Sequence, residues 1–300
     1  MRRRDYLYQG LCIRAEFPLP EWELFARAPC ATVPDVSISL GALPEFERIR
    51  GSNDQPSAEE YRFSVPGMGF FRVSEGRQIS VAPLPGIKPA ELQPWLAGPA
   101  WAALCYQRGL LITHASAVNF EDGAVAFCGR AGSGKSTTAA HLHALGYAMI
   151  SDDLCRIEIS GGAVFVHPST PRLRLRSDAL VGLETQMPVT PLRTESRLEK
   201  TLLWTPNWSR KPLPLKAIYL LNWGEHRLRR LTGSAALHSF LQAASYRGDL
   251  IDSMERSASF MSSCIELLRR IPLWELSRPQ EVERIGEIVK LITNRAAPET

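Results

Sequence analysis

A glycine-rich segment at residues 129–136 carries the residue types best suited to chemistry in this chain. It reads G-R-A-G-S-G-K-S and matches the phosphate-binding pattern G-x-x-x-x-G-K-[ST]. Glycines let the backbone curl so that successive N–H groups point at an anion. Lys135 would bring a positive charge to the outer phosphates, and Ser136 would offer its hydroxyl to a metal ion. The segment therefore predicts a site for nucleotide phosphates and a divalent cation.

The residues on either side of this segment predict a strand before it and a helix after it. Residues 124–128 form an apolar run of strand length, and residues 137–145 have a helical pattern closed by Gly146. A helix that begins here adds the positive end of its dipole to the anion site. This context favours a phosphate loop over a glycine-rich turn that matches by chance. We expect nucleotide contacts from Gly129, Arg130, Ala131, Gly132, Ser133, Gly134, Lys135, Ser136 and Thr137.

Two adjacent carboxylates, Asp152 and Asp153, follow a short apolar segment at residues 147–150 that is predicted to be a strand. Carboxylates in this position can bind a metal held between phosphates, or accept a proton from an attacking hydroxyl. A solvated Asp-Asp turn is the alternative interpretation. Successive side chains of an extended backbone point to opposite sides, so the two carboxylates are expected to have different roles.

His114 lies within a predicted strand at residues 110–120, and residues 121–123 predict a turn. Residues 111–120 and 124–128 would then form a hairpin. A single histidine in a strand is more often a core residue with a satisfied hydrogen bond. Here the hairpin brings its strand beside the strand that leads into the glycine-rich segment, which favours a functional role for His114.

The stretch at residues 114–157 resembles the catalytic core of the HPr serine kinase family. That family places a histidine twenty-one residues before the loop lysine, as His114 stands before Lys135. Its Asp-Asp pair begins seventeen residues after the lysine, as Asp152 does here. A glycine also closes the helix in that family, and Gly146 matches it. Three spacings around one phosphate loop make this resemblance specific.

The resemblance implies a fold and a set of roles. The fold would be like that of phosphoenolpyruvate carboxykinase, with the phosphate loop inside a mixed sheet. The cofactors would be ATP and Mg²⁺, with Ser136 and Asp152 as metal ligands. Asp153 would be the general base, with Asp152 as the alternative, and His114 would orient that carboxylate.

The chain also departs from the family. The second family signature, Glu-x-Arg-Gly-x-Gly, is missing, and residues 167–178 stand in its place, with Asp178 at a comparable distance. The N-terminal region does not resemble that of the HPr kinases. We therefore expect a related kinase with another substrate. Similar proteins accompany biosynthetic clusters for ribosomal peptides, including lasso peptides, where one branch phosphorylates the precursor peptide.

Basic residues recur after the Asp pair. A kinase needs cations besides the loop lysine to neutralise charge on the transferred phosphoryl group. Lys200 precedes an apolar Leu-Leu-Trp run and is the candidate for this role. Alternating arginines on a strand would either face an acidic substrate or form a solvated edge. The basic positions are Arg172, Arg174, Arg176, Arg193, Arg197, Lys200, Arg210 and Lys211.

Composition limits the class of protein. The 300 residues are 45% hydrophobic, which is enough for a sizeable core, and the formal net charge of +4 is mild and spread along the chain. Nucleic-acid binding is therefore not indicated. No apolar stretch is long enough to span a membrane, and no signal segment follows the basic start, so we expect a cytoplasmic protein without membrane contact. The six cysteines contain no Cys-x-x-Cys pattern, which favours buried thiols.

The strand and helix patterns predict an α/β protein. Residues 1–90 are expected to form an antiparallel β region. Residues 91–300 would form the phosphate-loop kinase core with C-terminal helices. A helix is predicted at residues 89–109, a strand at 216–222, and helices over 233–295 interrupted by a strand at 272–276.

The sequence thus predicts an ATP- and magnesium-dependent kinase that transfers the γ-phosphoryl group to a hydroxyl. A serine of a peptide or small protein is the expected acceptor. Three alternatives stay open: a small-molecule kinase of the same fold, a regulatory ATPase or nucleotide-binding module, and a carboxykinase-like enzyme suggested by the fold alone. The identity of the acceptor and the formation of homo-oligomers are also open.

Overall fold

The computed structural model describes residues 3–29, 33–42, 56–120, 123–176, 179–180, 191–195, 200–279 and 292, with residues 191–195 and 200 described by backbone alone. The predicted turn at Glu121 and Asp122, and Asp178, lie outside these residues. The chain packs into two compact units. The first comprises residues 1–112 and 246–263, and the second comprises residues 113–245 and 264–300. The sequence instead predicts a division into residues 1–90 and 91–300, and this domain division stays a prediction.

The first unit is built on a seven-stranded sheet with strand order β3-β1-β2-β4-β7-β6-β5. Hairpins join β1 to β2, β5 to β6 and β6 to β7. However, β4 runs parallel to both β2 and β7, so the sheet is mixed and the antiparallel prediction is wrong for this strand. Alternation indicates the buried face of a strand but does not indicate the direction of its neighbour. The strands are β1 Arg4–Tyr8, β2 Leu11–Ala15, β3 Ala26–Arg27, β4 Val36–Leu40, β5 Glu60–Val65, β6 Gly69–Ser74 and β7 Gln78–Pro83.

The helix predicted at residues 89–109 is divided into four short segments. A 3₁₀ turn at Pro89–Leu92, one α turn at Gln93–Trp95 and a π segment at Leu96–Ala100 precede helix α1, Trp101–Gln107. Pro94 and Pro99 lie inside this run, and a proline cannot donate the backbone hydrogen bond that a regular helix needs. The Trp101 side chain is fully buried and its indole N–H donates to Gln9 Oε1 at 2.7 Å. This tryptophan is therefore a core residue.

The second unit contains a nine-stranded sheet and a three-stranded sheet. The larger sheet runs β11-β9-β10-β17-β13-β12-β8, with β19 beside β17 and β18 beside β19. The smaller sheet runs β14-β16-β15. The strands are β8 Leu111–Thr113, β9 Ala115–Phe120, β10 Gly123–Cys128, β11 Met149–Ser151, β12 Cys155–Ser160, β13 Ala163–Val166, β14 Arg172–Arg176, β15 Pro191–Glu195, β16 Lys200–Trp204, β17 Leu213–Trp223, β18 Arg227–Leu231 and β19 Leu273–Arg278.

Strand direction in the larger sheet determines which residues meet. Strand β10 runs antiparallel to β9 and parallel to β17, and β17 runs parallel to β19. Strand β11 is antiparallel to β9 and therefore points the same way as β10. The expected mixed sheet is thus confirmed. The C-terminal ends of β10, β11, β17 and β19 share one edge, which is where open α/β sheets bind ligands.

Helices complete the two units. Helix α2 spans Lys135–Ala144, α3 spans Gly233–Ala244, α4 spans Gly248–Ser253 and α5 spans Ser257–Arg270. Ala139, Ala140 and Leu142 on α2 pack into one core cluster with Phe127 of β10 and Leu173 of β14. Burying a leucine or phenylalanine side chain of this cluster stabilises the fold by about 1.5–3 kcal/mol. This packing holds α2 against the sheet and so fixes the position of its first turn.

Four of the five described cysteines follow the prediction, and Cys30 lies outside the described residues. Cys105, Cys128, Cys155 and Cys264 are buried free thiols, as expected, whereas Cys12 is disulfide-bonded. Burial raises the pKa of Cys155 to about 12, so this thiol stays protonated at neutral pH. None of the described helices combines the length and apolar character that crossing a membrane requires.

Candidate functional site

The loop at residues 129–134, called the glycine loop below, connects β10 to α2 in the predicted strand–loop–helix order. Gly129, Gly132 and Gly134 have φ angles of 152°, 81° and 84°, a region that other residues enter only with strain. A Cβ on Gly129 would lie 2.3 Å from Ser133 Oγ, and one on Gly134 would lie 2.2 Å from Arg278 Nη2. Two of the glycines are therefore needed for close packing as well as for backbone conformation.

Lys135 begins helix α2, and its side chain folds back over the glycine loop. The ammonium donates to Gly129 O at 2.8 Å and to Arg130 O at 3.3 Å, and the residue is only 7% exposed. The positive charge is thus held beside the backbone of the loop. This is the placement predicted for a lysine that meets phosphate oxygens.

Hydrogen-bond donors collect at the start of α2. Gly134 is the N-cap, and no side chain caps the helix. The first N–H groups of a helix have no partners within the helix, so they are available to an anion. The Ser133 hydroxyl is buried beside Gly129 and has no partner among the described atoms. Donors, a lysine and a helix N-terminus thus fit a phosphate group.

Asp152 lies directly after β11 and contacts the first turn of α2. Its Oδ1 accepts hydrogen bonds from Ser136 Oγ at 2.9 Å and Ser116 Oγ at 2.6 Å. Its Oδ2 accepts from the Arg174 backbone N–H at 3.1 Å. Burial raises the pKa of Asp152, and the hydrogen bonds from both hydroxyls oppose that rise. The carboxylate therefore lies against the hydroxyl that was predicted to bind the metal.

Asp153 occupies a different environment from its neighbour. Its Oδ1 lies 3.5 Å from His114 Nδ1, and its Oδ2 accepts from an Arg174 guanidinium N–H at 3.0 Å. The two side chains separate because β11 ends at Ser151 and Asp153 has a φ of 72°, not because the strand continues. Its side chain is 27% exposed, so a substrate can reach it.

His114 interrupts the predicted strand, which forms as β8 and β9 on either side of it. Its backbone N–H donates to Ala244 O at 2.7 Å, outside the sheet ladder. The hairpin of β9 and β10 brings the imidazole beside Asp153, as the sequence predicts. Its role in catalysis stays a prediction.

The remaining predicted site residues make few described contacts with the glycine loop or the Asp pair. Arg130 points toward α3, where it donates to Gln242 Oε1 at 3.5 Å, and Ala131 is exposed. The Thr137 carbonyl lies 2.8 Å from His141 Nδ1. Lys200 begins β16, where its backbone pairs with Arg176, but its side chain lies outside the described part of the structure.

Strand β14 places its three arginines on one side and buries Leu173 and Leu175 on the other. This alternation was predicted, with an acidic substrate or solvent as the two alternatives. For the middle arginine the partner is instead the Asp pair, because the Arg174 guanidinium contacts Asp153 and its N–H contacts Asp152.

Three further residues at this edge were not found from the sequence. Ser116 stands two residues after His114, so a period of two could have placed both on one face of the strand. Trp223 ends β17 and Arg278 ends β19, where they are register partners. Neither belongs to a motif, and only their positions at parallel strand ends connect them with the glycine loop.

Arg278 and Trp223 contact the outside of the glycine loop. The Arg278 guanidinium is 2% exposed and donates to Thr138 Oγ1 at 3.0 Å and to the carbonyls of Gly134 and Ser133 at 3.3 and 3.5 Å. The guanidinium carbon lies 4.4 Å from the ring centroid of Trp223. The indole N–H of Trp223 donates to Gly132 O at 3.1 Å. Three consecutive carbonyls of the loop thus contact these two side chains, and the Gly134 carbonyl also accepts from the N–H and the hydroxyl of Thr138 at 2.8 and 2.9 Å.

The fold and site together define a mixed α/β protein with a glycine loop between a central strand and a helix. No protein-family profile and no curated protein matches the sequence. Among solved structures, the chain is similar to the HPr(Ser) kinase/phosphatase from Coxiella burnetii, with 12% identity and a TM-score of 0.34. The alignment covers 62% of this chain and 90% of that one. A likeness this distant does not assign an activity.

Proposed function

We propose that this protein is an ATP- and magnesium-dependent kinase that transfers the γ-phosphoryl group to a hydroxyl, with a serine of a peptide or small protein as the acceptor. The observation that carries the proposal is the contact of Ser136 with Asp152 at one sheet edge. A loop lysine lies on one side of this pair and a second, accessible carboxylate on the other. Phosphoryl transfer needs these groups together, because its catalysis is mostly positioning and charge stabilisation.

The residues present fit a magnesium ion bound together with nucleotide phosphates. Ser136 Oγ and Asp152 Oδ1 are oxygen ligands 2.9 Å apart. Mg²⁺ is usually bound through one or two carboxylates plus substrate phosphates and water, so a complete protein cage is not required. When bound, the ion would neutralise charge on the phosphates. Lys135, now on loop carbonyls, would supply its ammonium to the phosphate oxygens.

Asp153 is the proposed general base. As the acceptor hydroxyl attacks the γ-phosphorus, its proton passes to the Asp153 carboxylate while the bond between the γ-phosphorus and the bridging oxygen breaks and ADP leaves. His114 and Arg174 contact opposite oxygens of this carboxylate and so orient it. Asp152 is less suited to this step, because its Oδ1 accepts from both Ser116 and Ser136 and is proposed to hold the metal, whereas Asp153 Oδ1 lies at a longer 3.5 Å from His114.

The choice of a peptide serine rests on the resemblance of residues 114–157 to the HPr serine kinases. The missing Glu-x-Arg-Gly-x-Gly signature argues against HPr itself as the acceptor. A cytoplasmic location, where ATP is available, belongs to the same proposal, and assembly into a homo-oligomer is compatible with it.

The test compares Lys135→Ala with Lys88→Ala, an exposed lysine of the other unit. With γ-labelled ATP, magnesium and candidate serine peptides, the wild type and the control should transfer label. Lys135→Ala should lose transfer while keeping its far-ultraviolet circular dichroism. Wild-type transfer by the Lys135 variant would overturn the phosphate-site assignment. Label on a small molecule would select a small-molecule kinase, and free phosphate without a labelled product would select an ATPase.

A further inference from the structure

Arg278 is a buried cation outside the glycine loop, in a part of the chain far from the phosphate-binding motif. Its described hydrogen-bond partners are two backbone carbonyls and the Thr138 hydroxyl, all of them neutral oxygens. Its Nε is buried without a partner among the described atoms. Burial lowers the pKa of Arg278 to about 10, so the side chain remains charged at neutral pH.

A second arginine of the same sheet provides a comparison. Arg229 on β18 is 52% exposed at its side chain, and it pairs with the Glu275 carboxylate at 2.7 Å. A charge in water with a carboxylate partner costs little, whereas a buried charge is costly unless it is compensated. Arg278 is the buried charge of the two, and it lies beside the loop that is proposed to bind a polyanion.

The geometry of the peptide bond explains what Arg278 does there. In a trans peptide, a carbonyl and the N–H that follows it point in opposite directions. Holding the carbonyls of Ser133 and Gly134 toward Arg278 therefore turns the N–H groups of Gly134 and Lys135 to the other side. Those two N–H groups belong to the loop–helix junction, where phosphate loops place their donors. Trp223 holds the Gly132 carbonyl in the same outward direction.

The charge of Arg278 also reaches the first turns of α2. His141 lies on this helix, and its pKa is lowered first by burial and then by the nearby charge of Arg278. Part of the electrostatic cost of the buried guanidinium would be offset when the phosphates bring negative charge to the inside of the loop.

We propose that Arg278 is a positioning residue for the phosphates of the nucleotide. Together with Trp223 it contacts the carbonyls of residues 132–134 from outside the loop, so that the N–H groups of the loop face the polyphosphate and the guanidinium charge lies behind them. This inference rests on the proposed function and deepens it, because it assigns phosphate recognition to two residues outside the motif.

The principal variant is Arg278→Met, tested in the full chain. We expect its affinities for ATP and for inorganic tripolyphosphate to fall by the same factor, about 10- to 100-fold, the scale for losing hydrogen bonds from a charged group. The melting temperature of the ligand-free variant should change little, because removing a costly buried charge offsets the hydrogen bonds lost at the loop carbonyls. A purely structural arginine would instead lower the melting temperature and leave affinity unchanged.

Two milder variants separate the contributions of the Arg278 charge, its planar guanidinium and the Trp223 N–H. Arg278→Lys keeps the charge but loses the planar fork, so its affinity should lie between those of the wild type and Arg278→Met. Trp223→Phe keeps an aromatic ring but loses the N–H donated to Gly132, and its ATP affinity should fall about fivefold, the value of one neutral hydrogen bond. Arg229→Met, in the same sheet, is the control and should bind like the wild type.

The outcomes are distinguishable by calorimetric titration with both probes. If the wild type binds neither ATP nor tripolyphosphate, the proposed function and this inference both fail. If the wild type binds and the Arg278 and Trp223 variants bind equally well, only this inference fails. If Arg278→Met does not fold, the Arg278→Lys and Trp223→Phe titrations decide by the same criterion.

Discussion

The glycine loop has two unlike sides. On one side, β9 and β11 bring Ser116, Asp152 and Asp153 to the start of α2. On the other side, β17 and β19 bring Trp223 and Arg278 against the loop carbonyls. The first side is acidic and partly open, with Asp153 27% exposed, whereas the second side is basic, with Arg278 2% exposed. The loop thus separates a carboxylate pair from a buried cation.

This difference follows from what each side has to contact. A general base and a metal ligand must reach the substrate and the ion directly, so their side chains lie at an accessible edge. A residue that acts through the backbone of the loop needs no access, and burial strengthens its electrostatic effect by excluding water. Variants of Asp152, Asp153 and the loop glycines distinguish these two functions.

The largest expected effect is on the acidic side, at the proposed base. Asp153→Asn should lower single-turnover phosphoryl transfer by about 10²–10⁴-fold, the usual scale for losing a general base, while ATP affinity stays near the wild-type value. Asp249→Asn is the control, since its side chain is 65% exposed and lies in the other unit. Normal phosphoryl transfer by Asp153→Asn would show that Asp153 on the acidic side is not the general base.

A smaller effect is expected for the other carboxylate of the pair. Asp152→Asn removes the negative charge next to Ser136, so the gain in ATP affinity on adding magnesium should shrink, by about tenfold for each 1.4 kcal/mol of lost metal interaction. Isothermal titration with and without magnesium measures this gain. In Asp153→Asn, the matched comparison, the gain should be retained. Equal magnesium dependence in both variants would show that the pair does not divide its roles.

The smallest effect distinguishes two glycines of the loop. Gly132 and Gly134 have nearly the same φ, but a Cβ on Gly132 meets nothing within 4 Å, whereas one on Gly134 meets Arg278 Nη2 at 2.2 Å. Gly132→Ala should therefore weaken ATP binding only through the strain of its backbone, which is about 1–2 kcal/mol. Gly134→Ala should weaken ATP binding further, by a few-fold, because it displaces Arg278.

A double-mutant cycle checks the origin of that extra loss. In an Arg278→Met background, the effect of Gly134→Ala on ATP affinity should shrink toward that of Gly132→Ala, because contacting residues are energetically coupled. Purely additive effects would argue against contact between Arg278 and the loop as the cause.

Much of the acidic side was predictable from the sequence for a local reason. The motif at residues 129–136 is contiguous, and its strand and helix have clear hydrophobic patterns, so the strand–loop–helix order follows from short-range information. The contact of His114 with Asp153 depends on the β9–β10 hairpin and on strand β11. The spacing of both residues from Lys135 also indicated this contact. The expectation that an extended backbone separates the two aspartates was wrong. Their separation comes from a positive φ at Asp153, which a non-glycine residue rarely adopts.

The sequence by itself determined the glycine loop, its lysine and the acidic pair, because these are set by local spacing and periodicity. Only the tertiary structure decided that β17 and β19 lie parallel beside β10, that β4 runs parallel to its neighbours, and that Arg174 meets the Asp pair. Strand pairing across long sequence separations depends on how the whole core packs, and the hydrophobic pattern of one strand does not specify its neighbour. Arg278 follows an ordinary strand and becomes distinctive only where that strand ends behind the loop.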